Sequence, residues 1–369
     1  MPHGVLIRRL LWLVAVASLT FGVWKSSQPA ALVDFQRVVD WSAQLEAGTS
    51  PYAGESDADY PPWALVTLAP INAIPSAAQA RVWIAINLLL AVVIAALLVR
   101  VVDPSRLIHS PMLLAVLLAT GPFRVLGQFS VLSFALALSG ARHASPVTGG
   151  VLLGLGLMKP QVGGAILLAH VFMRDWTRVG VALCVPMVLT LVAGVLTSTS
   201  PIQMLGDYGR VLDVVHGADV GLPGHTDVRA WLAPIIPAVI TLPGAATLAA
   251  ILLAPVALVA WRHRGSWSPD RRLELYALCG VVSLLSARHL SYDFLLILPV
   301  VVAWRVGPRL PWLVTSALLV AQVPGWWRQV FEPMGWPAHW GVLIELDRVL
   351  CIALFGLLSW RLMRLNVTK

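Results

Sequence analysis

Three places in the chain hold residues whose types suit chemistry better than they suit an apolar setting. Asp34 opens an amphipathic stretch a few residues after the first apolar run ends, which puts a carboxylate at a water–membrane boundary. A carboxylate there can take the proton of a hydroxyl that is becoming a nucleophile. It can equally cap the helix it opens, a position where Asp is strongly preferred, and spacing alone favours the cap. Lys159 sits near the middle of the apolar run 147–173, where an ammonium is costly unless it faces protein or a watery cavity. Glycines 149, 150, 154, 156, 163 and 164 surround it and Pro160 removes a backbone donor, so the spacing predicts a kinked helix lining a cavity. A lysine in such a place holds an anion such as phosphate, snorkels, or pairs with a carboxylate. Arg288 and His289 follow the ninth apolar run, with Tyr292 and Asp293 opening the tenth. Arginine suits a bidentate hold on phosphate; the alternative is a capped interfacial turn with Asp293 as its N-cap.

Other candidates are weaker. Asp40 lies six residues beyond Asp34, about 240° around a helix, and cannot share its face; Asp57 and Asp59 follow in the same loop. His216, Asp219, His225 and Asp227 match no dependable metal-ligand spacing. Cys184, Cys279 and Cys351 all fall within apolar runs. Neither a metal nor a cofactor is expected, and there is no Gly-rich phosphate loop to suggest a nucleotide.

The elements that must position these residues are membrane helices. The 369 residues are 58% hydrophobic and 12% charged, and the mean hydropathy is +0.80; soluble domains carry about 25% charge. A soluble enzyme, a nucleic-acid binder and a disulfide scaffold are excluded, and the net charge of +8 belongs to basic loops rather than to a nucleic-acid partner. Apolar runs near 10–24, 61–75, 82–99, 111–123, 126–139, 147–173, 179–197, 245–261, 273–287, 293–306, 310–323 and 340–360 predict an all-α, polytopic membrane protein of about 12 transmembrane helices forming a single domain over 1–369. With Arg8 and Arg9 inside, most basic residues collect on the inner side and most acidic ones outside, as the positive-inside rule expects. Both termini are then cytoplasmic. Arg100 and Arg106, on an outer turn, are the main misfit. Three outer segments exceed simple turns: 25–60, where Val33 to Ala47 predicts a surface helix with Val38, Trp41, Ser42 and Leu45 on one side, then 198–230 and 324–339. Function is expected to face outward.

Several motifs recur in one order. Asp34-Phe35, the helix after it, Gly48-x-Ser50-Pro51-Tyr52 and Tyr60-Pro61-Pro62 resemble the start of the C-type membrane glycosyltransferases. Gly127-Gln128, Lys159-Pro160 and the Arg288-His289 region extend the likeness, which is closest to glycosyltransferase family 87, the polyprenyl-phosphate-mannose-dependent α-mannosyltransferases. The chain departs from the family pattern at Ser130, where Asn is frequent, and at Arg288-His289, where two His are frequent.

The resemblance implies a C-type glycosyltransferase architecture and transfer of a glycosyl residue, mannose first among candidates, from a polyprenyl-phosphate donor to a lipid-linked or cell-envelope glycan acceptor. The setting it implies is the outer face of a bacterial cytoplasmic membrane, with membrane lipids as further partners and no nucleic acid. It implies Asp34 as general base; from their chemistry Lys159, Arg288 and His289 are expected on the donor phosphate, and Gln128 and Tyr60 against sugar or acceptor. The leaving group departs as a stable phosphate anion, so one carboxylate suffices where hydrolytic glycosidases use two. The rival reading is a transporter or lipid-sugar flippase with Lys159 as a midplane contact. Paired broken segments in two related halves would mark it, and the second half offers no partner for the Lys159 run.

Overall fold

The computed structural model describes residues 32–54, 56–102, 128–218, 228–263, 267–287, 291–303 and 346–364, with scattered residues of 9–24. The runs 111–123 and 310–323, most of 10–24, and Gly127, Arg106, Arg288 and His289 lie outside the described residues. All regular structure among the described residues is helical. In chain order the helices are α1 (Val33–Glu46), α2 (Pro62–Leu68), α3 (Ser76–Val102), α4 (Ser130–Arg142), α5 (Pro146–Gly156), α6 (Pro160–Phe172), α7 (Trp176–Thr197) and α8 (Pro201–Ala218). They continue with α9 (Arg229–Leu232), α10 (Leu242–Arg262), α11 (Pro269–Ser286), α12 (Leu298–Ala303) and α13 (Leu346–Arg364). Short 3-10 helices cover Ala69–Ala73, Pro237–Ile240 and Ser291–Ile297.

Within the described residues, α3, α7 and α10 are long and apolar enough to cross a membrane. They turn Leu89, Val92, Met187, Val188, Val195 and Ile251 outward. Such an apolar exterior suits lipid and not water. The chain is a helical membrane protein.

The run 147–173 corrects the expectation of one kinked span. It forms two antiparallel helices, α5 and α6, broken at Leu157, Met158 and Lys159. Ser145 caps α5 by accepting from the Thr148 amide at 3.3 Å, and Pro146 occupies its first turn. Pro160 starts α6, where its missing N–H costs nothing, and Lys159 stands before it in extended backbone. The partners of α5 and α6 give the direction. Ser133 at the start of α4 donates to the Gly156 carbonyl at 2.5 Å, so α5 runs back along α4. Gly150 meets Val181 and Gly154 meets Val185, so α5 and α7 run in parallel. The chain between them must therefore return: Arg178 at the start of α7 donates to the carbonyl of His143, which precedes α5, at 2.8 Å. Lys159 is at the hairpin's tip.

The run 61–75 does not form a spanning helix. The seven residues of α2 and five of the 3-10 turn extend about 20 Å, against about 30 Å of hydrocarbon. They lie against α1, where Ser42 donates to the Leu65 carbonyl at 3.1 Å and Asn72 to Glu46 at 2.9 Å. α3 therefore starts at the Asp34 end of the bundle and finishes at the other, where Arg142 donates to the Leu97 carbonyl. This moves Arg100, in the last turn of α3, from an outer turn to the basic end.

Two ends of the bundle are thereby distinguished. One gathers Arg142, Asp175, Arg178, His263, Arg271 and the Arg361–Glu274 pair, held at 2.6 Å. The other holds α1, the start of α4 and the hairpin tip.

The hairpin depends on close backbone approach. A Cβ on Gly163 would lie 2.2 Å from the Gly156 carbonyl oxygen, whereas one on Gly164 meets nothing within 4 Å. Gly163→Ala is predicted to destabilise the protein by about 1–3 kcal/mol, the usual cost of overpacking, while Gly164→Ala leaves stability unchanged; thermal unfolding in detergent compares the two.

Candidate active site

Asp34 lies in the first turn of α1, but it is not the cap: Leu32 occupies that position, with φ of 62°. The backbone turns there so that Phe35, Val38, Val39, Trp41, Ser42 and Leu45 face inward, which includes the whole apolar face read from the sequence. The Asp34 carboxylate, half-buried, accepts a hydrogen bond from the Gln128 side-chain amide.

Aromatic neighbours place these two residues together. Phe35 follows Asp34 and Phe129 follows Gln128, and both rings pack against Trp83, Phe35 stacked at 5.3 Å and Phe129 tilted at 4.4 Å between centroids. The three rings are buried. Tyr60 packs edge-on against Phe129 at 5.5 Å, and its hydroxyl points to the Gln128 carbonyl oxygen at 3.5 Å. The Tyr60 backbone carbonyl is itself held by the Tyr52 hydroxyl at 2.7 Å. Burial pushes the Tyr52 phenol well above its usual range, so it remains a donor at physiological pH.

From Gln128 the network continues inward to the hairpin tip. Lys159 Nζ donates to Gln128 Oε1 at 3.1 Å, to Ser130 Oγ at 2.6 Å and to Asp293 Oδ1 at 3.1 Å. These match the three N–H groups of an ammonium. Ser130 in turn donates to Asp293 at 2.6 Å. Gln128, Ser130, Lys159 and Asp293 are all buried, so Asp34 is the member of the network nearest to solvent.

Asp34, Tyr60, Gln128 and Lys159 thus come together from four separate stretches of chain. The carboxylate partner anticipated as one alternative for Lys159 is present, and it is Asp293. The sequence offers Asp293 only as an N-cap, and its pairing with Lys159, 134 residues away, leaves no local signal. Among the described residues no cluster of three or more potential metal ligands occurs. Of the loop residues set aside as poor metal ligands, Asp219, His225 and Asp227 lie outside the described residues.

Chemically the arrangement offers a carboxylate at the edge of a buried polar network whose other end is an ion pair. Such a carboxylate suits proton abstraction from a hydroxyl brought in from the exposed side.

Comparison with curated proteins and with solved structures returned no match. The sequence model of glycosyltransferase family 87 matches residues 59–287, well over half of the chain, and spans Tyr60, Gln128 and Lys159. The chain, a helical membrane protein with these residues drawn to one end of its bundle, belongs to glycosyltransferase family 87.

Proposed function

We propose that the protein transfers a mannosyl residue from a polyprenyl-phosphate donor to a lipid-linked or cell-envelope glycan acceptor, with Asp34 as general base. The observation that carries this reading is the Asp34 carboxylate, half-buried and oriented by the Gln128 amide at the edge of a buried network. In the reaction the acceptor oxygen bonds to the anomeric carbon as the bond from that carbon to the phosphate oxygen breaks. The hydroxyl proton passes to Asp34, and the bonding pair leaves with the polyprenyl phosphate. A single displacement inverts the anomeric centre, so a β-linked donor gives an α-linked product.

The donor phosphate needs positive partners as charge develops on it. Asp34, Asp293 and Lys159 bring two carboxylates to one ammonium. Arg288 and His289, five and four residues before Asp293 in the chain, are the cations we assign to the phosphate. Lys159 joins them by exchanging one of its three acceptors for a phosphate oxygen. Gln128 and Tyr60 stand beside Asp34, where a sugar or acceptor hydroxyl is handled. A transporter reading has no comparable support, because the family is one of glycosyltransferases.

The direction in which the site faces follows from charge. Arg142, Arg178, Arg271 and Arg361 lie at the end remote from Asp34, and basic termini of membrane helices stay on the cytoplasmic side. Asp34 then faces outward, at a bacterial cytoplasmic membrane. Ala47→Cys, exposed after α1, is predicted to react with a membrane-impermeant maleimide in intact cells. Ala144→Cys, exposed between α4 and α5, is predicted to react only after permeabilisation. The reverse pattern would turn the site inward.

Membranes containing the protein and radiolabelled polyprenyl-phosphate-mannose are predicted to yield a labelled extractable glycolipid. Asp34→Asn lowers that labelling by roughly a hundredfold to ten-thousandfold, the usual contribution of a general base, with the protein still inserted. Undiminished labelling by the variant would remove Asp34 from the mechanism.

A further inference from the structure

We infer that Asp293 is a positioning residue for glycosyl transfer: by holding Lys159 it sets which way round the Gln128 amide lies, and so aims the Asp34 carboxylate. The inference rests on the proposed role of Asp34 as base. Its ground is the polarity of the hydrogen bonds. A glutamine amide can sit in either of two orientations that place N–H2 and carbonyl oxygen in nearly the same space. A lysine ammonium only donates and a carboxylate only accepts. Placed between them, Gln128 has one orientation that satisfies both: Oε1 toward Lys159 and Nε2 toward Asp34. Turned over, it would put a carbonyl oxygen against the Asp34 carboxylate and an N–H2 group against the ammonium.

Lys159 imposes this choice only while it stays in place. It stands before the first turn of α6, at a break between two helices, with a flexible four-carbon stem. Asp293 and Ser130 fix its far end, and the Ser130 hydroxyl is fixed in turn, because it accepts from Lys159 and donates to Asp293. Every proton in the series therefore has one direction. Asp293 is buried at 1% exposure and holds Lys159 and Ser130 from within the network. It comes from the 3-10 turn Ser291–Ile297, three residues past Leu290 in the sequence.

The test measures transfer from radiolabelled polyprenyl-phosphate-mannose by the full-length protein in membranes, with kcat and donor KM determined separately and corrected for inserted protein. Asp293→Asn is predicted to lower kcat by roughly tenfold to a hundredfold, the scale of a misplaced catalytic group, with donor KM changed little. Removing one partner of a buried ion pair can prevent folding. The double variant Lys159→Met with Asp293→Leu leaves no unpaired charge and is predicted to insert normally with at least the same fall in kcat, and with donor KM raised as well, because Lys159 also meets the phosphate. Adding Asp293→Asn to Gln128→Leu is predicted to cost little more than Gln128→Leu alone, because both act on one path. A lower donor KM with kcat unchanged in Asp293→Asn would overturn the inference, since Asp293 would then be only a competitor of phosphate for Lys159. Wild-type kcat in the inserted double variant would overturn it as well. Asp34→Asn measured beside them separates the two proposals: if it is inactive while the Asp293 variants turn over normally, positioning alone fails; if it is active, the base assignment fails.

Discussion

An ammonium at 5% exposure in a lipid-embedded bundle has to be fully partnered, because an uncompensated buried charge costs several kcal/mol. Much of the site's geometry meets that one requirement. Lys159 is satisfied by Gln128 and Ser130 from the start of α4 and by Asp293 from the turn before α12. Three stretches of chain that are far apart in sequence are pinned at one point as a result. Asp34 is tied to the same point through Gln128, and the packed rings of Phe35, Trp83 and Phe129 hold that contact in register. Such a network rigidifies when complete and is costly when one member is missing.

The helix break that carries Lys159 is also what gives the bundle its two distinct ends. A straight helix through 147–173 would have carried Lys159 to mid-membrane with its neighbours at different depths. The hairpin instead brings His143 and Arg178 to one end and the lysine to the other, in the company of α1. Basic side chains collect at the first end and the network with its two carboxylates at the second. In the reaction we propose, a donor whose polyprenyl chain lies in the membrane presents its sugar at that second end without leaving the lipid.

The sequence was legible where one feature decides a local structure. The amphipathic period of α1 predicts both its extent and its inward face, and the motifs single out Asp34, Tyr60, Gln128 and Lys159, which the structure brings together. It was misleading where apolar composition had to stand for topology. The run 61–75 is apolar enough to span, yet Pro61, Pro62 and Pro70 break it into short turns that pack on α1. The run 147–173 is long enough to span once, but Gly156 and Gly163 allow a backbone approach that folds it double. Arg100 stood out as a misfit because of the first error. Asp293 was read as a cap because its partner is 134 residues away, and no local pattern joins them.

In the reaction we propose, Asp34 is the base and the buried network aims it at the acceptor hydroxyl. A structure of the protein with a non-transferable phosphonate analogue of polyprenyl-phosphate-mannose tests it most directly. The account predicts the anomeric carbon opposite the Asp34 carboxylate, with room for one acceptor hydroxyl between them, the phosphonate against Arg288 and His289, and the Gln128 amide still donating to Asp34. An anomeric carbon held beyond the reach of any hydroxyl touching Asp34 would contradict it.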